Sequence, residues 1–225
     1  MAFKLQWLLF LTLTPAIGLG QIKKPPADSA DFYYKWAHAL CDSGNFRMAI
    51  LKYKKAVILR RDFPQAWTEW GVALANVGRR DEEIAKYKEA LKIDSTYGEA
   101  YFNWGTTLNK LGQVSEAIKV FKKGIASSPK FARNYEGLGK INAQMGEYQQ
   151  ALTNFQKSLK INPENPWANY WAAGCWSNLK KKTAALAALQ KAIYHGGDFY
   201  KMEAKKDAAF FWMKSDTAFK KLIGP

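Results

Sequence analysis

The chain is poor in the residue types from which chemical sites are built. Its 225 residues include only two cysteines and two histidines. It has no Gly-rich phosphate loop and no CxxCH haem-attachment pattern. Acids are scarce too, with 19 Asp and Glu against 34 Lys and Arg, a formal net charge of +15. That excess raises an anionic partner or surface as a question but says nothing about fold. No apolar run approaches the ~20 residues of a spanning helix. Disorder is excluded for most of the chain, because 48% of residues are hydrophobic and 15% aromatic.

The longest apolar run, residues 5–13, is interrupted only by Gln6 and Thr12 and follows the single charge of Lys4. Small residues and a turn come next, in TPAIGLGQ. This is the layout of a secretory signal peptide over residues 1–20, with cleavage expected before Gln21 or, as a second choice, before Leu19. An uncleaved N-terminal anchor is the other reading. The segment makes a periplasmic or secreted protein the expectation. Residues 21–29, containing QIKKPPADS, read as a polar linker.

What the chain does have is a period. WGTTLNKLGQVSEAIKVFKKGI, from Trp104, aligns at a shift of 34 with WGVALANVGRRDEEIAKYKEAL from Trp70, and at the same shift again with the segment from Trp36. Continuing forward defines five units without insertion: 30–63, 64–97, 98–131, 132–165 and 166–199. Gly44, Gly78, Gly112 and Gly146 share one position between two helical patterns, where a left-handed residue ends a helix. Lys180 takes that place in the fifth unit, so its turn is expected to differ. Tyr53, Tyr87, Phe121 and Phe155 recur as a buried helical stripe, and Ala56, Ala90, Gly124 and Ser158 sit where two helices cross closely. Pro129 and Pro163 close units three and four. Each unit is a helix–turn–helix that cannot bury its apolar face alone, so stacking completes the core.

These units resemble tetratricopeptide repeats, in Trp70-Gly71, Trp104-Gly105 and Leu138-Gly139, followed by Ala49, Ala117, Ala151 or Ala185, an aromatic, a small residue and a closing proline. Departures are local. Glu83 replaces the small residue in unit two, and Arg61, Ser95 and Gly197 replace the closing proline, which puts helix ends in question. The resemblance implies an all-α, right-handed α-solenoid. Residues 200–225 are expected to form C-terminal capping helices, with Asp207 and Ser215 as candidate N-caps. That tail also resembles the closing segment of many bacterial members of the family.

The sequence offers few groupings of reactive side chains. His38, Cys41 and Asp42 share one helix face and are metal-ligand types. No further His or Cys lies near them, so no metal or cofactor is expected and they read as ordinary groove residues. A nucleophile built on His38 and Cys41 has no orienting partner or oxyanion hole. Asp81, Glu82 and Glu83 open a second helix, where negative charge suits the helix dipole. Cys41 and Cys175 belong to the first and fifth units, too far apart for an intramolecular disulfide.

Binding remains, and the chain is expected not to be an enzyme. In the tetratricopeptide family the first helix of each unit lines a concave groove for a protein or peptide. Carried onto this sequence, that resemblance selects Tyr34, His38, Phe102, Asn103, Thr106, Asn109, Lys110, Lys140, Trp167 and Tyr170. Trp167, Tyr170 and Trp171 are expected beside Phe102, Asn103 and Asn109, with Trp171 equally suited to the core. The charges at groove positions nearly cancel: Lys35, Lys110, Arg133 and Lys140 against Asp31, Asp42, Glu69, Glu99 and Glu136. The positive excess therefore lies on the second helices and the tail. The function expected is an adaptor or scaffold in the cell envelope. Action through the basic convex face on anionic surfaces, or self-association, is the alternative, with a metal-dependent enzyme behind both. Nucleic acid is not expected, since no recognisable module interleaves base and aromatic residues.

Overall fold

The computed structural model describes residues 29–224. The leader expected over residues 1–20, and all of the linker except Ser29, lie outside the described residues. Five helix pairs follow in order: α1 (Ala30–Asp42) and α2 (Phe46–Leu59), α3 (Pro64–Asn76) and α4 (Arg80–Ile93), α5 (Gly98–Lys110) and α6 (Val114–Ser127), α7 (Ala132–Gln144) and α8 (Tyr148–Ile161), α9 (Pro166–Asn178) and α10 (Lys182–Gly196). The odd-numbered helices start 34 residues apart. Three short elements close the array: α11 (Asp198–Lys206), a 3-10 turn η1 (Ala208–Met213) and α12 (Thr217–Ile223). The whole is an all-α right-handed solenoid. Consecutive odd-numbered helices pack on one another, as in α5 on α7, whereas the even-numbered ones do not to that extent. The odd-numbered helices therefore lie on the inside of the curve.

Local chemistry sets the helix ends. Ser29 starts α1 by accepting the Phe32 N–H at 3.1 Å. Proline opens α3 and α9, where its missing N–H costs nothing. Between the helices of each pair the chain turns through a left-handed residue, Gly44, Gly78, Gly112 or Gly146, at φ between 75° and 80°. The following N–H reaches back to the carbonyl five residues earlier, as Asn45 does to Leu40 and Glu147 to Asn142. Unit five was expected to turn differently. It does not: Lys180 adopts φ 59°, and Lys181 reaches Trp176 at 2.9 Å as its counterparts do. Stacking of α9 on α10 imposes the turn, and the side chain accepts the steric cost. Nor do Arg61 and Ser95 alter helix ends. α2 and α4 stop in the same register as α6 and α8, and only α10, before Gly197, runs one residue longer.

The core is one repeated layer. Tyr53, Tyr87, Phe121, Phe155 and Leu189 are buried at equivalent positions of the even-numbered helices, with Ala56, Ala90, Gly124, Ser158 and Ala192 beneath them. The Phe121 ring fits between two backbones. A Cβ on Gly105, in its own unit, would stand 2.8 Å from that ring, and a Cβ on Gly137, in the next, would overlap it. Glu83 is buried at the position where the other units carry alanine. The cap seals the far end, with Phe210, Met213, Phe219 and Ile223 joining Ala173, Ala185 and Leu189 in one cluster. Asp207 caps η1 as expected, accepting the Ala209 N–H. The cap of α12 is Asp216, not Ser215. The chain is still turning at Ser215, and Asp216 is the extended residue whose carboxylate accepts the Ala218 and Phe219 N–H groups.

Candidate partner-binding groove

The concave face carries a cavity of about 370 Å3 where α5, α7 and α9 meet over α6. Phe102, Thr106, Asn109 and Lys110 reach it from α5, Arg133, Glu136, Gly137 and Lys140 from α7, and Trp167 from α9. Six of the ten residues selected from the sequence thus share one cavity. Register explains it: positions 102, 106, 109 and 110 repeat at one helical face, and the same face of α7 presents 133, 136, 137 and 140.

Apolar walls come from Phe102, Phe121 and Trp167. Phe121 was read from the sequence as core alone. Its signal was the glycine on either side, since Gly105 and Gly137 give the ring room to reach the floor of the groove, where only its edge is open. Polar contacts fix the walls. Arg133 lies with its guanidinium 4.0 Å from the Phe102 ring centre and bonds Glu99 at 2.8 Å, tying unit three to unit four. Asn109 donates to Gln144 at 3.3 Å across the same joint. Glu136 is buried, its Oε1 accepting Ser158 Oγ and Asn165 Nδ2, each at 2.7 Å. Two ammonium groups, Lys110 and Lys140, complete the rim, with Lys140 Nζ 5.5 Å from the Trp171 ring. Such a site can hold an apolar side chain among three aromatic rings and meet acids or carbonyls with amide and ammonium donors.

The other four residues stand elsewhere. Asn103 lines a neighbouring cavity of about 250 Å3 that shares Thr106 and Lys110 and reaches Arg80 and Glu83. Tyr34 packs on Phe63 and Tyr53 at centroid distances of 4.9 and 5.9 Å, within the joint between the first two units. Burial, then the charges of Glu69 and Glu99, pushes its phenol pKa up. His38 is exposed, 3.4 Å from Asp42. Tyr170 is drawn away from Phe102 and Asn103 by the tail: its hydroxyl donates to Asp207 at 2.9 Å and its ring packs on Tyr200 and Phe210. Trp171 takes an intermediate place, packing on Phe155 and Trp167.

The acidic end of the groove is distinct. Glu69 has its pKa raised by burial and by Glu99, against the opposing pull of His38 and Arg133. Cys41 does not converge with His38 and Asp42, because its thiol is directed to Tyr53 Oη at 3.9 Å. Among the described residues no three His, Cys, Asp or Glu side chains are grouped to hold a metal. Cys41 and Cys175 are both free thiols, and burial pushes Cys175 up to about 12.

Comparison with known proteins agrees with this architecture. Tetratricopeptide repeat models match residues 34–98 and 102–166, and a further one matches 143–202. No curated protein sequence matches. Among solved structures, PilF of Pseudomonas aeruginosa superposes with a TM-score of 0.71 at 19% identity, over 86% of this chain and 88% of that one. MamA from Desulfovibrio magneticus RS-1 gives 0.58 at 21%, over 75% and 95%. YrrB, described as a tetratricopeptide protein with an unusual peptide-binding site, gives 0.55 at 23%, over 81% and 94%. At these identities the likeness is one of fold.

Proposed function

The chain belongs to the tetratricopeptide repeat family, and on that premise we propose that it is a non-catalytic adaptor of the cell envelope, holding a segment of a partner protein in its concave groove. The observation that carries this reading is the cavity between α5, α7 and α9, where Phe102, Phe121 and Trp167 surround space beside Asn109, Lys110 and Lys140. Aromatic rings backed by rigid helices bury area at little entropic cost, and such anchors carry most of the energy in peptide recognition. The export half of the proposal rests on residues 1–20 and their signal-peptide layout.

The test is capture from a detergent-solubilised envelope fraction, comparing the chain with a Phe102→Ala/Lys140→Glu variant of matched helicity by circular dichroism. A partner retained by the first and lost by the second supports the groove. Equal recovery overturns it. Cell fractionation with N-terminal mass spectrometry tests export: a chain beginning at Gln21 outside the cytoplasm is expected, and a cytoplasmic chain retaining residues 1–20 refutes it.

A further inference from the structure

A cap that closes a repeat array ordinarily presents a polar outer face to water. Here the inner face is conventional, with Phe210 and Phe219 fully buried against α9 and α10. The outer face is not. Phe199, Met202 and Phe211 are 62%, 56% and 49% exposed. Near them lies an open depression of about 690 Å3, floored by Phe219 and Ile223 and edged by Lys205, Lys214, Lys220 and Lys221. Among the described residues that line it, the charged groups are all lysines.

The apolar residues and the lysines form one surface. Lys214 Nζ sits 3.8 Å from the centre of the Phe211 ring. On α11, Met202 neighbours Phe199 on one side and Lys205 on the other, each three residues away. The acids of the cap are engaged within the protein. Asp198 pairs with Lys201 and Glu203 with Lys206, Asp207 accepts from Tyr170, and Asp216 pairs with Lys182 while capping α12. The field at the depression is therefore set chiefly by Lys214, Lys220 and Lys221.

Phe199, Met202 and Phe211 are exposed on the outer face and stand outside the lining of the depression, an arrangement suited to entering a soft medium. We infer that the cap is a peripheral docking face for an anionic phospholipid bilayer. Phe199, Met202 and Phe211 enter the boundary between headgroups and acyl chains, and Lys214, Lys220 and Lys221 meet lipid phosphates while their alkyl stems stay against the apolar floor. No helix among the described residues is long and apolar enough to cross a membrane, so this contact lies along the surface. It is independent of the groove, and places a captured partner at the bilayer.

Hydrogen exchange read by mass spectrometry tests it on the full chain, with vesicles of phosphatidylglycerol and phosphatidylcholine in equal parts, and of phosphatidylcholine alone. The readout is regional, so the apolar residues 5–13 do not confuse it. Slowed exchange across residues 198–223 with the anionic vesicles only, and unchanged exchange in α3 and α5, is the expected result. Lys214→Glu/Lys220→Glu/Lys221→Glu, at three exposed positions, is expected to raise the lipid concentration at which cap protection develops by at least ~100-fold, at roughly fivefold per lysine. Met202→Ser/Phe211→Ser is expected to abolish cap protection while leaving the rest of the exchange map intact. Absence of cap protection, protection that survives the lysine reversals, or equal protection by inorganic phosphate without lipid each overturns the proposal.

Discussion

The carboxylate of Glu83, in the second unit, accepts a hydrogen bond from the hydroxyl of Thr107 in the third. Tyr87 donates to the same oxygen at 3.1 Å, and Arg80 bonds the other at 2.8 Å. A buried acid thus replaces a methyl group and joins two units, every partner being satisfied. Glu83→Ala strands two buried hydroxyls and is expected to lower stability by about 2–3 kcal/mol. Adding Tyr87→Phe and Thr107→Ala removes the stranded groups and is expected to recover most of the loss. Urea denaturation of the three chains checks this; a triple variant no better than the single would show that shape, not polarity, decides.

At Lys180 the backbone sits where glycine serves in four other units. Lys180→Gly relieves a left-handed strain of about 1 kcal/mol but loses the ammonium lying 4.7 Å from the Trp212 ring. The net expected is a gain of up to about 1 kcal/mol. Lys180→Val, branched at a positive φ, is expected to lose at least as much. Thermal unfolding midpoints of the pair give the comparison.

Gly137 leaves room for Phe121 and, through it, for the groove cavity. A methyl group there drives the ring aside, at an expected cost of about 1–3 kcal/mol. Phe121→Leu in the same chain is expected to restore part of the stability but not partner capture, because the cavity wall has changed. Calorimetry beside the capture assay separates the two effects.

Alkali should unfold this protein steeply. Burial raises the phenol pKa of Tyr53, Tyr87 and Tyr170 above the ordinary range, with the negative charges of Glu83 and Asp207 adding to it at Tyr87 and Tyr170. In the unfolded chain these phenols ionise near pH 10. Above that pH the unfolded state holds fewer protons than the native one, so stability falls as pH rises, and is unaffected by these groups below it. Each phenol contributes a slope of up to about 1.4 kcal/mol per pH unit. Tyr87→Phe is expected to reduce the slope by one phenol's share in urea titrations between about pH 9.5 and 11.

The repeat was legible because a 34-residue period carries helix, turn and core positions together. What escaped the sequence depends on neighbours that a period does not describe. Tyr170 occupies a groove register, yet no sixth unit follows, and Asp207 of the cap claims its hydroxyl. Glu83 reads from the sequence as a first-turn acid suited to the helix dipole at a position other units give to a small residue, and only the placement of Thr107 and Tyr87 makes its burial tolerable. At Lys180 the local preference gave way to the packing of α9 on α10. Phe102, Asn109, Lys140 and Trp167 met in one cavity because helix face and repeat register, both readable from the chain, fix where they point.

Among the ten repeat helices, each takes its main packing partners from helices at most two places away in the chain. Such an object has no long-range fastening, and its response to tension follows from that. Drawn apart by its ends, it should stretch as a spring, the curve opening and the groove walls separating while each Phe121-type layer stays whole. Further load should release units singly, in a sawtooth of near-equal extensions. A partner held across α5, α7 and α9 would let go in the first regime, long before any core is lost, so that pulling alone could empty the groove.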